Sequence, residues 1–254
     1  MINIPHPLIE LQTVDSTNLY AEQLLKTQIV PEGTIIIAHQ QTSGKGQGEN
    51  SWESEPGKNA TFSMVLFPEF LPPGQQFLLN KTITMGVIDF LARFQIEERC
   101  SIKWPNDIYA GNRKIGGILI QNTVCGTVYE SCIAGIGVNI NQETFHPGLP
   151  NPISLKQLTG MNYPVKDAVD FIVARIDERY HQLQKGLYAH LGREYREQLR
   201  GINEWRDYFV DKKLIKGKIR GVDESGRLMM KLENGSERTF DHGEITFIFP
   251  VTDQ

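Results

Sequence analysis

The chain has 254 residues, of which 22% are charged and 40% hydrophobic, and its formal net charge is -4. That length suits one large domain, or one large and one small, and the lack of a basic surplus argues against nonspecific nucleic-acid binding. No apolar run approaches the roughly 18–20 residues of a membrane-spanning helix, and Met1-Ile2-Asn3-Ile4-Pro5-His6-Pro7 lacks the basic and apolar regions of a secretory signal. Cys100, Cys125 and Cys132 are an odd set with no C-x-x-C spacing. Free thiols in a reducing cytoplasm are the expectation.

In chain order, Asp15-Ser16-Thr17-Asn18 offers N-cap side chains for a helix through Leu19, Leu24 and Leu25. Thr34 to Ala38 is a β-branched run that reads as a buried strand. A polar, glycine-rich loop from Gln41 to about Lys58 separates it from a second strand, Asn59 to Phe67. Apolar residues at 83, 87, 88 and 91 predict a helix over Phe77 to Phe94. Ser101 to Trp104, Lys114 to Gln121 and Tyr129 to Ile140 read as strands. Helices are expected over Lys166 to Leu183, with Val169, Ile172, Ile176, Tyr180 and Leu183 on one face, and over Leu187 to Leu199. After about Tyr208 the pattern changes to four short strands, 214–222, 227–232, 236–240 and 245–249, with turns of the Asn-Gly type. That pattern implies a small β-barrel over 209–254 beside a large unit over 1–208.

Three segments carry chemistry. Lys103-Trp104-Pro105-Asn106-Asp107, followed by Lys114-Ile115-Gly116-Gly117, sets two lysines and a carboxylate around a turn. Lysine supplies a compact charge for a carboxylate or phosphate, and an aspartate can help hold Mg²⁺ with a substrate's phosphates. Pro-Asn-Asp is also a plain turn sequence, so the segment alone reads as either a site or a hairpin. The loop Gln41-Thr42-Ser43-Gly44-Lys45-Gly46-Gln47-Gly48-Glu49-Asn50-Ser51-Trp52 can cradle phosphates. It lacks the G-K-[ST] of a P-loop, and the strand after it excludes a dinucleotide fold. In Gly135-Ile136-Gly137-Val138-Asn139-Ile140-Asn141, glycines leave one strand face bare, and Asn139 and Asn141 fall on that face. The six histidines are scattered, with no nucleophile–base pair and no zinc spacing, so none is expected to be catalytic.

Taken together these elements resemble the bacterial biotin–protein ligases (biotin–[acetyl-CoA carboxylase] ligases). Asp15 to Asn18 looks like the family's Ser-Thr-Asn motif, Gln41 to Trp52 like its glycine–arginine loop and Lys103 to Asp107 like its K-W-P-N-D. Lys114 to Leu119 is similar to its lysine–glycine strand, and Gly135 to Asn141 to its G-x-G-x-N strand. The resemblance implies an α+β fold: a class II aminoacyl-tRNA synthetase-like catalytic domain with a mixed sheet, and a C-terminal SH3-like barrel. It implies that biotin and ATP give biotinyl-5′-AMP, and that a lysine of a biotin carboxyl carrier protein then takes the biotinyl group, with Mg²⁺ as cofactor.

By position, Lys114 and Lys103 would be catalytic. Ser16, Thr17, Asn18, Gln41, Gly44, Lys45, Lys114, Gly117 and Gly135 would bind biotin. Gly44, Lys45, Gly46, Gln47, Trp52, Asn59, Lys103, Asn106, Lys114 and Asn139 would meet the nucleotide, and Asp107 would help hold Mg²⁺. The loop departs from the family, with Lys45 and Gln47 in place of its first two arginines and Glu49-Asn50 in place of a glycine and an arginine. Ser16 lies too near Met1 for a helix-turn-helix ahead of it, so no DNA partner is expected. A monomer or weak homodimer is anticipated. The alternatives are a lipoate–protein ligase or related acyl-adenylate enzyme, and a non-enzymatic biotin sensor.

Overall fold

The computed structural model describes residues 6–94, 96–126 and 128–249. The start of the segment read for a signal, 1–5, and the end of the expected barrel, 250–254, lie outside the described residues. The first part of the chain runs β1 (Leu8–Val14), α1 (Thr17–Thr27), β2 (Ile35–Gln41), β3 (Ala60–Leu66) and α2 (Phe77–Leu91). A set of strands follows: β4 (Cys100–Lys103), β5 (Asp107–Ala110), β6 (Arg113–Cys125) and β7 (Val128–Val138). Then come α3 (Leu155–Thr159), α4 (Val165–Gln184) and α5 (Tyr188–Gln198). The chain closes with β8 (Trp205–Val210), β9 (Lys213–Val222), β10 (Leu228–Leu232), β11 (Glu237–Phe240) and β12 (Ile245–Phe247).

The first seven strands form one sheet in the order β1-β2-β3-β7-β6-β5-β4. Only β1 and β2 run parallel; the other pairs are antiparallel, so the sheet is mixed. The last five form an antiparallel sheet in the order β11-β10-β9-β8-β12. It opens at Trp205, before the boundary at 209 expected from sequence, because alternation in Trp205–Val210 is masked by exposed Trp205 and Phe209.

Helices cover both faces of the large sheet. Phe62 and Met64 of β3 face a core with Ile83 and Val87 of α2 and Ile172 and Ile176 of α4. The helix α2 is buried almost all round and is accordingly the central one. On the opposite face, Val65, Ile36 and Ile133 pack against Ala21 of α1 in a smaller cluster. Side chains alternate along a strand, so Thr61 and Ser63 share the α1 face with Val65. The outer edge of β4 is bonded by Leu199–Arg200, through Arg200 N–H to the Ile102 carbonyl at 2.8 Å. At the other edge, β1 has β2 as its only sheet neighbour among the described residues.

Candidate active site

Two rows across the large sheet build the site. In one, Lys103 pairs with Asp107, Asp107 with Gly117, Gly117 with Gly137, and Gly137 with Thr61. In the next, Leu119 pairs with Gly135 and Gly135 with Ser63. The glycines turn these rows into a trough. A Cβ on Gly137 would lie 2.5 Å from the Trp52 ring, and one on Gly135 would lie 2.4 Å from Asn18 Oδ1. A cavity of about 380 Å³ opens over the trough, on the α1 face.

One end of the cavity is charged. Lys114 Nζ lies 2.6 Å from Asp107 Oδ1, and Lys103 Nζ lies 3.3 Å from Asp107 Oδ2. Lys103 and Asp107 face each other across the β4–β5 turn. Lys114 reaches the same carboxylate because the β5–β6 register shifts between Ile108 and Tyr109. Its backbone is held from the far side: Lys114 N–H donates to the Asn151 carbonyl at 2.7 Å, and Ile153 N–H to the Lys114 carbonyl at 2.9 Å. The turn itself is braced, with a cis Trp104–Pro105 bond and the Tyr195 hydroxyl donating to the Pro105 carbonyl at 3.0 Å. Asn106 lines the cavity, but its amide donates to the Ile118 carbonyl, and Ile118 N–H donates back to the Asn106 carbonyl at 3.1 Å.

The other end is neutral. Gln41 Oε1 accepts from Thr17 N–H at 2.7 Å and from the Thr17 hydroxyl at 3.1 Å. Ser63 Oγ is 2.7 Å from Thr17 Oγ1 and 2.6 Å from Asn18 Oδ1, so its single hydrogen serves one of them at a time. Asn18 Nδ2 donates to Gln121 Oε1 at 2.8 Å. Ser16, Thr17, Asn18 and Ser63 are all buried. The side chain of Ser16 makes no cap bond at α1, so the motif expected to start the helix instead turns its polar groups to the sheet and cavity.

The glycine-rich loop folds as a hairpin over the trough. Trp52 N–H donates to the Gly44 carbonyl at 2.9 Å, Gly46 N–H to the Asn50 carbonyl at 2.8 Å, and Asn50 Nδ2 to the Gln47 carbonyl at 2.9 Å. Lys45, Gly46, Gln47 and Trp52 line the cavity; Gly44 is buried at the neck of the hairpin behind it. Lys114 Nζ lies 5.9 Å from the Trp52 ring centroid. Trp52 Nε1 and Gln47 Oε1 are buried without a hydrogen-bond partner among the described residues. Buried polar atoms are normally paired, so this donor and this acceptor are the natural contacts for a ligand.

Most sequence-predicted residues therefore converge, and Gly44, Asn59 and Asn139 lie outside the cavity lining. Asn59 lies outside the cavity lining, with its amide on Gln142 Oε1 and Ser54 Oγ and its oxygen accepting from Ile140 N–H at 3.0 Å. Asn139 is also outside; β7 ends at Val138, and the Asn139 amide donates to the Ile153 carbonyl at 3.0 Å. Asn141 likewise bonds the backbone of Tyr163 in both directions. The period-two argument fails there because the strand has ended. Sequence reasoning also missed Ser63, one of two hydroxyls, with Thr61, in the buried strand β3. A second omission is the wall that the small sheet supplies: His242, Thr246 and Phe247 line the same cavity.

Asp107 is the only acid lining the cavity among the described residues, and each of its oxygens faces a lysine. No group of three His, Cys, Asp or Glu residues that could hold a metal occurs among the described residues. Asp107 is a counter-ion shared by Lys103 and Lys114, and a single carboxylate could hold Mg²⁺ only together with a substrate's phosphates. No described helix is long and apolar enough to cross a membrane.

Comparison with known proteins bears on the family and the fold. The profile of the Biotin/lipoate A/B protein ligase family matches residues 10–139, and that of the Biotin protein ligase C terminal domain matches residues 211–247. The Bifunctional ligase/repressor BirA of Bacillus subtilis (strain 168) is 28% identical over 241 residues, which cover 92% of this chain and 72% of that protein. The biotin–[acetyl-CoA-carboxylase] ligase of Paracoccus denitrificans is 23% identical over 87% of this chain and 92% of its own. The solved structure of the biotin protein ligase from Aquifex aeolicus in complex with biotin and ATP superposes with a TM-score of 0.78 at 26% identity, covering 94% of this chain and 97% of that one. Its likeness extends over both sheets, so the fold is the expected α+β one, a synthetase-like catalytic unit with a C-terminal SH3-like unit. The chain belongs to the biotin/lipoate A/B protein ligase family.

Proposed function

We propose that this protein is an ATP-dependent biotin–protein ligase. In the first step the biotin carboxylate attacks the α-phosphorus of ATP, giving biotinyl-5′-AMP and pyrophosphate. In the second, the amine of a lysine on a biotin carboxyl carrier domain attacks the biotinyl carbonyl and AMP leaves. The observation that carries the reading is the two-ended cavity. A neutral network of buried Thr17, Asn18 and Ser63 with half-buried Gln41 faces a pair of lysines, Lys103 and Lys114, joined through Asp107. A neutral bicyclic ring suits the first end, and an anionic reaction centre suits the second.

The chemistry needs little covalent help. A carboxylate and an α-phosphate are both anionic, so positive charge fixed beforehand lowers the cost of bringing them together and stabilises the charge that develops. Lys114 is assigned to both reacting groups, Lys103 to the phosphates, and Asp107 to holding the two ammonium groups in register. Ser16, Thr17, Asn18, Gln41, Gly117 and Gly135 are assigned to biotin. The hairpin Gly44 to Trp52 is assigned to the adenylate, with the Trp52 ring offering a flat apolar surface to the base. A mixed anhydride hydrolyses in water, and a hairpin over the trough excludes it. Mg²⁺ is proposed to arrive on the phosphates of ATP, as hard cations do.

Cytoplasmic action is proposed from the three cysteines, which are free thiols. For a monomer or weak homodimer, the β1 edge is the proposed face for a partner. The lipoate-ligase alternative is not favoured, because the C-terminal match is to a biotin protein ligase domain. Incubation with MgATP, labelled biotin and a biotin carboxyl carrier domain should label one lysine of the acceptor. No label on the acceptor under these conditions would overturn the assignment.

A further inference from the structure

The turn Asp241-His242-Gly243 between β11 and β12 brings an imidazole to the mouth of the cavity. The His242 and Trp104 ring centroids are 6.1 Å apart, and Phe247, just beyond the turn, lies 5.7 Å from Lys103 Nζ. The small sheet is anchored there: Trp104 Nε1 donates to the Gly226 carbonyl at 2.9 Å, and a Cβ on Gly226 would lie 2.5 Å from the Phe77 ring. His242 is exposed on its other side.

The charged groups facing it are Lys103 of β4 and Asp107 of β5; on its own turn, the Glu244 carboxylate accepts from Asp241 N–H at 2.8 Å. Burial and then Lys103 hold the His242 pKa below the ordinary histidine value, against the pull of Asp107. The imidazole is therefore neutral at pH 7. The other basic side chains lining the cavity are Lys45, Lys103 and Lys114. Lysine side chains ordinarily hold their proton at neutral pH, and the one carboxylate there, Asp107, is engaged by Lys103 and Lys114.

The transfer step needs such a group. A lysine side chain has an ordinary pKa of about 10.4 and reaches the site as an ammonium ion with no lone pair to donate. Resting on the ligase reading above, we infer that His242 accepts the proton of the incoming acceptor lysine. The freed lone pair forms the C–N bond at the biotinyl carbonyl carbon. The bond from that carbon to the phosphate oxygen breaks, and its electron pair leaves on AMP. The second amine proton passes to water as the amide forms, and the imidazolium returns its proton to solvent on its exposed side.

The test uses the full chain with biotinyl-AMP preformed from biotin and MgATP. Single-turnover transfer to a biotin carboxyl carrier domain is followed from about pH 5.5 to about pH 9, beside biotin-dependent ATP–pyrophosphate exchange. Parent transfer should rise with pH and level off above an inflection below the ordinary histidine value. In His242→Gln, transfer near pH 7 should fall about 100-fold, more than exchange falls, and should keep rising to the top of the range as the acceptor lysine ionises unaided. Added imidazole should speed transfer by the variant and not by the parent. A variant profile of the parent's shape, equal losses in transfer and exchange, or no response to imidazole would overturn the inference. Failure of the parent to form biotinyl-AMP would instead overturn the ligase reading.

Discussion

At the α1 end of the cavity, buried Thr17, Asn18 and Ser63 and half-buried Gln41 form an uncharged network. At the β4–β5 end, Lys103, Asp107 and Lys114 form a charged cluster whose side chains are about a fifth to a third exposed. The two ends lie on adjacent rows of one sheet, yet they hold their groups differently. The neutral end is fixed by direct hydrogen bonds whose geometry is unforgiving when buried. The charged end is fixed by a shared counter-ion, which leaves the lysines able to exchange Asp107 for an incoming anion. Recognition of shape and handling of charge are thus set on different strands of one sheet, with β6 and β7 between Asp107 on β5 and Ser63 on β3.

The sharpest way to break this contrast is to remove one charge. Lys114→Ala should slow adenylation at least about tenfold, the 1.4 kcal/mol or more of one charge-assisted contact, with a smaller change in biotin affinity. Unchanged single-turnover adenylation would refute the role given to Lys114. The complementary change is Gly135→Ala, whose new Cβ would lie 2.4 Å from Asn18 Oδ1. Displacing that amide should weaken biotin binding about fivefold to tenfold by calorimetry and spare ATP, since one disrupted neutral hydrogen bond contributes about 1 kcal/mol. An equal loss for ATP would mean that the two ends are not separate. The smallest effect is that of salt. Partly exposed charges are screened with a Debye length of about 8 Å at physiological ionic strength and about 3 Å at 1 M, so ATP affinity should fall a few-fold across that range, and biotin affinity, with one carboxylate on Lys114, should fall less. Parallel loss of both affinities would contradict the division.

The sequence made the charged end legible because Lys103 and Asp107 straddle a recognisable turn. That Lys114 meets the same carboxylate depends on the β5–β6 register shift, which no local spacing announces. The bare strand face at Gly135 and Gly137 was legible from period two. Its extension to Asn139 was not sound, because the end of β7 is set by the segment 151–153 pairing back onto Lys114 and Asn139, contacts distant in sequence. Asn59 was read as a nucleotide contact, yet its three hydrogen bonds hold Ser54, Ile140 and Gln142 together. The wall from the small sheet was invisible for a related reason. His242 reaches the cavity through the docking of the small sheet, including Gly226 on Trp104 and Phe77 and Phe249 on Tyr109, between segments far apart in the chain.

The central claim is that the neutral end selects biotin while the charged end activates its carboxylate. Biotin-dependent ATP–pyrophosphate exchange, run with lipoate as competitor, tests it most directly. The account predicts exchange that requires biotin and is unaffected by lipoate; exchange supported by lipoate, or suppressed by it as strongly as by a biotin analogue, would contradict it.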